Sequence, residues 1–330
     1  MIKYDVICLG EALVDLISQE PGKNLADVNL FKKFAGGDPA NVAVGLARLG
    51  CKTGFAGKIG RDAFGRFLQK FLIDNGVNTE ALYTDSVHKT RLAFVEVAND
   101  GERNFEFSEK HPADSALKDE DFSMEFLKQA SIVHFGSLPL PAPSNGELFS
   151  QLITRLNHDN ILTSFDPNYR TALWKTSQHA RRVLGSIASL CRILKVNLEE
   201  ARLLGGTERI EELLSNIFFP NTLLLAITLG EDGCILKNRR CVVKIHSFRV
   251  KVVDTTGCGD AFTAGLLAGL IRSGENIDEL DELDLNAIGQ RAYAMAALTA
   301  TRFGAAEALP INQEIEIFIK SHIHKRGIKK

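Results

Sequence analysis

The amino-acid sequence predicts an α/β fold: a mainly parallel central sheet in one domain spanning residues 1–330, with a small β lid formed by about 12–34 and 90–110. Three observations predict it. Short apolar runs that read as buried strands recur at 5–9, 54–59, 131–135, 161–165, 192–196 and 223–228. Helix start and stop signals lie between them. Two pairs of alternating segments, 12–17 with 29–34 and 91–98 with 103–107, interrupt that rhythm and read as hairpin material.

Along the chain, Asp5-Val6-Ile7-Cys8-Leu9 opens the sheet as an apolar run of strand length. After the first hairpin material, Asp38-Pro39 precedes the run from Ala40 to Leu49 and then Gly50. An N-cap acid, a proline in the first turn and a closing glycine are the marks of a helix. Strand 54–59 leads to a second helix at 63–75, closed by Gly76. Asn99-Asp100-Gly101-Glu102 joins 91–98 to 103–107 as a turn. The two hairpins, although distant in sequence, are able to pair into one sheet over the ligand face; the alternative is that they are unconnected surface hairpins. The later strands end in polar loops, and in a doubly wound sheet ligands gather beyond the carboxyl ends of the strands. Finally, Ala261 to Ile271 presents an apolar helical face that ends near Gly274.

Size and composition restrict the function. The 330 residues are 45% hydrophobic and 24% charged, with a formal net charge of -2, which suits a globular enzyme and offers no global attraction for nucleic acid. The expected partner is a small molecule. Six cysteines, at 8, 51, 191, 234, 241 and 258, show no Cys-x-x-Cys spacing, so reduced thiols are expected, with neither a disulfide framework nor a zinc site. No stretch of about 18 apolar residues is present, and an acid precedes the short apolar run at the start, so a cytoplasmic protein without a membrane span is expected. The basic tail at 321–330, with His322 and His324, reads as a solvated terminus.

Two glycine-bearing helix starts carry the chemistry. Asp254-Thr255-Thr256-Gly257-Cys258-Gly259-Asp260 runs into the apolar helix, so unpaired amides and the positive end of the helix dipole face whatever lies before it. A phosphoryl group is stabilised there, and Asp260 is placed to accept the proton of an attacking hydroxyl. Its plainer role is a first-turn acid complementing the dipole. Alone, Gly-x-Gly-Asp recurs by chance in roughly one chain in ten of this length. The P-loop pattern and the protein-kinase glycine loop are both missing. Asn197-Leu198-Glu199-Glu200 follows a strand, where it either holds Mg²⁺ through water or simply caps a helix. At the second glycine site, Gly36-Gly37-Asp38-Pro39-Ala40-Asn41 and the acceptor Asp15 offer the paired donors and acceptors that polyols need. There the alternative is a turn followed by a helix capped by Asp38, with Asp15 as a surface acid.

Together these segments resemble the ribokinase-like, phosphofructokinase-B family of sugar kinases, most closely its bacterial fructokinase and 2-keto-3-deoxygluconate kinase branches. The resemblance runs nearly end to end, through Gly36 to Gly50, Gly60-Arg61-Asp62-Ala63-Phe64-Gly65, Asp166 to Trp174, Asn197-x-x-Glu200, Thr228 to Gly233 and Asp254 to Phe262, all in the family's order. It implies a three-layer α/β/α sandwich with Asp260 as base and the amides of Gly257, Cys258 and Gly259 as the anion hole. It further implies sugar contacts from Asp15, Gly36, Gly37 and Asn41, with Asn168 and Arg170 near the sugar or the transferred phosphate. ATP is implied at Asn197, Thr228, Gly230, Gly233, Gly257 and Gly304, and Mg²⁺ at Glu200 through water; a monovalent cation is left open.

Three departures stand out. Cys258 replaces the usual alanine and puts a thiol at a helix N-terminus, either activated by the dipole or inert through burial. Phe107 leads into Ser108-Glu109-Lys110, and an acid at Glu109 counts against an acidic sugar if it faces the site. Tyr293 replaces a polar residue near the expected adenine. The expected reaction is transfer of the γ-phosphoryl group of MgATP to a primary hydroxyl of a sugar, fructose first. The alternatives are a 2-keto-3-deoxygluconate kinase, a ribokinase or a nucleoside kinase, and outside enzymes a sugar- or nucleotide-sensing protein. An NAD-dependent oxidoreductase is disfavoured because the first strand ends in Leu9-Gly10-Glu11-Ala12, without Gly-x-Gly-x-x-Gly. An exposed lid edge offers a route to a homodimer.

Overall fold

The computed structural model describes residues 2–98 and 103–327, with side chains through His322. The turn expected at 99–102, the His324 side chain and the last residues of the basic tail lie outside them. The strands are β1 (Tyr4–Gly10), β2 (Leu13–Ser18), β3 (Phe31–Gly36), β4 (Thr53–Gly60), β5 (Asn78–Asp85), β6 (Leu92–Val97), β7 (Arg103–Phe107), β8 (Ala130–Phe135), β9 (Leu162–Phe165), β10 (Ile193–Asn197), β11 (Leu224–Thr228), β12 (Cys234–Lys237) and β13 (Val242–Ile245). The helices are α1 (Asp38–Arg48), α2 (Ala63–Asp74), α3 (Met124–Leu127), α4 (Asn145–His158), α5 (Ser177–Leu190), α6 (Leu198–Gly205), α7 (Ile210–Asn216), α8 (Cys258–Ser273), α9 (Glu282–Ala300) and α10 (Asn312–Gly327).

Nine strands form the central sheet in the order β13-β12-β11-β10-β9-β8-β1-β4-β5. All neighbours from β11 to β5 pair in parallel, and β12 and β13 add an antiparallel edge. Because side chains alternate across a strand, Val6 and Cys8 enter one core while Ile7 and Leu9 enter the other. The first core takes residues of α1, α2, α8 and α9, the second those of α4, α5, α6 and α7, which makes three layers. Burying a side chain such as Phe262, 1% exposed, contributes on the order of 1.5–3 kcal/mol. Helices α8 and α9 approach closely because Gly265 faces Ala292, where a Cβ would come within 2.7 Å of the Ala292 Cα. From β1 the chain steps outward to β4 and β5, then returns to β8 and proceeds the other way. That reversal opens a crevice beyond the carboxyl ends of β1 and β8.

The six expected strands are all present within a residue or two at each end. The two hairpins do pair into one sheet, β3-β2-β6-β7, closed by a parallel β2–β6 ladder. Ile17, Phe34 and Val95 are buried within it. Its edges are β3 and β7, the strands relevant to the homodimer expectation. The strands β5, β12 and β13 were not expected: in the two edge strands, β5 and β13, exposed residues such as Glu80, Tyr83, Val242 and Lys244 break the apolar pattern, while β12 is only four residues long. The N-cap also differs. Gly37, at φ 102°, takes that position, and Asp38 is the first residue of α1 rather than its cap.

Candidate active site

A cleft of about 2420 Å³ lies between the lid and the carboxyl ends of the main sheet. At one end of it, Gly257 is the N-cap of α8 with φ 74°, and a Cβ there would stand 3.0 Å from the Ala305 Cα. Only glycine fits both constraints. Cys258, Gly259 and Asp260 form the first turn, whose amides lack partners within the helix. The Cys258 amide donates to the Thr255 carbonyl at 3.2 Å, which leaves Gly259 and Asp260 as the first-turn amides nearest the cleft without such a bond. The thiol of Cys258 is pushed up to about 12 by burial, reinforced by Asp254 and Asp260. Burial and the two aspartates weigh against the activated-thiol alternative.

Asp260 is 8% exposed, and its Oδ2 accepts Asn41 Nδ2 at 2.7 Å. Two helix N-termini, α8 and α1, thus meet through one side-chain hydrogen bond. Burial raises the Asp260 pKa above the ordinary carboxylate range, while donation from Asn41 opposes that rise. A carboxyl placed this way holds a proton more readily than a solvated aspartate does.

Behind it lies a buried ion pair that the sequence did not signal as functional. Lys195 Nζ is 2.7 Å from Asp166 Oδ2, and Thr263 Oγ1 donates to the same oxygen at 3.1 Å. Desolvation would lower Lys195, but Asp166 and Glu200 outweigh it and hold the ammonium charged. A lysine within Ile193-Leu194-Lys195-Val196 was the available signal, because an apolar strand rarely buries a charge without a partner. Asn197 caps α6: its Oδ1 accepts the Glu200 amide at 2.8 Å, while Glu200 Oε2 accepts the Asn197 amide at 2.8 Å. Glu200 Oε1 accepts the Tyr169 amide at 2.8 Å. The helix-cap alternative is therefore realised, yet each oxygen keeps lone-pair capacity and Glu200 still lines the cleft. Among the described residues no three His, Cys, Asp or Glu side chains converge as a metal cage.

The end beside Asp15 is built differently. Asp15, on β2, is 7% exposed and is pushed up to about 7 by burial, with Arg103 opposing. Glu11 is pushed up to about 8, also by burial, and its Oε1 accepts the Asp38 amide at 3.2 Å. Asp38 is buried, lines the cleft, and neither carboxyl oxygen has a hydrogen-bond partner. Burial and the neighbouring Asp260 raise its pKa well above the usual range. Asn168 lines the cleft with φ 40°, and Arg170 stands over the Phe105 ring at 5.5 Å.

The cleft gathers Asp15, Gly37, Asn41, Asn168 and Arg170 at one end and Asn197, Glu200, Thr228, Gly230 and the Gly257-to-Asp260 turn at the other. Gly36, Gly233 and Gly304 stand outside its lining. Gly36 lacks a side chain because Asp15 Oδ2 lies 2.3 Å from where a Cβ would be. Gly233, at φ 101°, turns the chain into β12, and Gly304, at φ 102°, donates its amide to Asp254 Oδ2 at 2.9 Å. Glu109 is also outside the lining, so the condition under which it would count against an acidic sugar is not met there. Tyr293 lines the cleft with Phe248 and Ala297, and its hydroxyl donates to the Gly230 carbonyl. Among the described residues no helix is long and apolar enough to cross a membrane.

Comparison with known proteins matches residues 3–312 to the model of the pfkB family carbohydrate kinases. The chain is 37% identical over 312 residues to a probable chloroplastic fructokinase-6 of Arabidopsis thaliana, covering 94% of this chain and 81% of that protein. The crystal structure of a Xylella fastidiosa fructokinase with bound ATP superposes with a TM-score of 0.86 at 31% identity, covering 96% of this chain and 98% of that one. A fructokinase double mutant from Vibrio cholerae O395 with fructose, ADP and potassium ion bound gives 0.84 at 30% identity, covering 96% and 99%. With the fold, the glycine turn and these matches in agreement, the chain belongs to the pfkB family of carbohydrate kinases, of ribokinase-like fold.

Proposed function

We propose that this protein transfers the γ-phosphoryl group of MgATP to the primary hydroxyl of a ketose, with fructose as the leading acceptor. The observation that carries the proposal is the Asp260 carboxylate, buried in the first turn of α8 and oriented by Asn41 in the same cleft as the lid. The hydroxyl oxygen attacks phosphorus as Asp260 accepts its proton, and the γ-phosphoryl bond to the leaving ADP breaks. The Gly257–Gly259 turn stabilises charge on the transferring group, and Lys195 holds positive charge behind it. Asp15, Gly37 and Asn41 orient the sugar, with Asn168 and Arg170 between sugar and phosphate. Mg²⁺ arrives with ATP as substrate, and Glu200 touches it through water. The fructokinase names among the relatives support fructose over other acceptors.

An acceptor panel with MgATP tests the proposal. Fructose is expected to give the highest kcat/KM among fructose, ribose, 2-keto-3-deoxygluconate and a nucleoside, and strong preference for any of the other three overturns the choice of acceptor. Repeating the fructose assay with and without K⁺ reads out the monovalent-cation expectation.

A further inference from the structure

Arg103 begins the lid strand β7, yet its guanidinium leaves the lid to pair with Asp254 at the head of the glycine turn, Nη2 to Oδ2 at 2.5 Å. The two side chains are 10% and 1% exposed. Asp254 is otherwise committed to the body of the protein. Its Oδ1 accepts the Thr256 amide at 2.9 Å and the Thr256 hydroxyl at 2.8 Å, and its Oδ2 also accepts the Gly304 amide. Phe303 sits 5.5 Å from the same guanidinium and 5.7 Å from the ring of Phe34 on β3. One carboxylate therefore joins the lid, the turn that starts α8 and the loop beside Gly304. Arg103 also lines the cleft, and its buried Nη1 has no partner among the described residues. An orphaned charged donor is costly, so such an arrangement fits a site completed by a ligand oxygen.

We propose that Arg103 is a positioning residue for phosphoryl transfer: through Asp254 it couples lid closure over the sugar to the setting of the glycine turn, with its free Nη1 donating to an oxygen of the bound ligand. The same guanidinium opposes the rise of the Asp15 pKa, so it acts on the sugar end as well as the phosphate end. Two sites biased by one bridging contact are thermodynamically linked, and the linkage is reciprocal. This inference rests on the sugar-kinase proposal above.

The test measures fructose affinity in the full chain with and without a non-hydrolysable ATP analogue, together with kcat and KM, for wild type, Arg103→Ala and Arg103→Lys. In wild type the analogue is expected to tighten fructose binding by a factor within about 5–150. In Arg103→Ala that factor falls toward one, and kcat drops by about tenfold or more because the glycine turn is displaced. Arg103→Lys keeps the charge without the planar fork and is expected to fall between them. A folded Arg103→Ala with wild-type coupling and kcat overturns the proposal, even if its melting temperature falls. Should Arg103→Ala fail to fold, Arg103→Gln, which keeps bulk and a donor but no charge, decides by the same ratio. Wild type that neither binds nor phosphorylates a ketose overturns both the function and the coupling, whereas a competent wild type with unchanged variants removes the coupling alone.

Discussion

In the proposed function the two ends of the cleft, one for phosphate and one for sugar, solve their recognition problems with different materials. The phosphate end is made largely of backbone: a left-handed Gly257, a helix start and amides with no partner in the helix. The sugar end is made of carboxyl side chains, Glu11, Asp15 and Asp38, all buried and all raised above their ordinary pKa values by burial. A phosphoryl group carries the same charge whatever molecule donates it, so fixed dipoles serve. Sugars differ in the placement of their hydroxyls, and movable donors and acceptors are needed to tell them apart. Asp260 belongs to both ends, held in α8 by the backbone and tied to α1 by Asn41.

Breaking the shared residue should have the largest effect. Asp260→Asn keeps shape and burial but accepts no proton, and steady-state assays should show kcat lower by about 10²–10⁴-fold with sugar affinity largely retained. Full turnover in that variant would remove the base from the proposal. Next comes the backbone end alone. Gly257→Ala forces a side chain onto φ 74° and toward Ala305, displacing the first-turn amides. Losing such donors costs about 10²–10³-fold in kcat, with fructose affinity spared. An equal loss of fructose affinity would show that the two ends are not separable. Smaller in rate but larger in stability is Lys195→Met, which strands Asp166 as a buried unpaired charge. Denaturant unfolding should show a loss of about 3–5 kcal/mol.

How legible each end was in the sequence follows the same division. Gly257 and Gly37 announce themselves because few residues besides glycine adopt their positive φ, and the strands β1, β4, β8 and β11 because both their faces are buried. The lid was legible as alternating segments, but not its parallel β2–β6 ladder, since register between distant segments leaves no local trace. Lys195, Asp166 and Asp38 were missed for a different reason. Each looks locally like an ordinary strand lysine, strand-end acid or helix-cap acid, and only tertiary burial turns it into an ion pair or an unpaired carboxyl. For Cys258 the helix start left activation and inert burial both open, and only the tertiary surroundings, burial beside two aspartates, raise the thiol.

The subtlest expected effect lies at the contact between the two ends. Asn41 donates to Asp260 and thereby opposes the rise in pKa that burial imposes. The base works deprotonated, so activity falls as pH drops through its pKa. Removing the donor in Asn41→Ala takes away a contact that favours the charged carboxylate, which moves that pKa further upward. The acid limb of the kcat profile should then shift to higher pH, with maximal kcat at alkaline pH reduced far less than in Asp260→Asn. Weaker fructose binding is expected alongside it, because the proposed function has Asn41 orient the sugar. An unshifted acid limb with weakened sugar binding would assign Asn41 to the sugar end alone, and Asp260 would then be oriented by the helix that carries it.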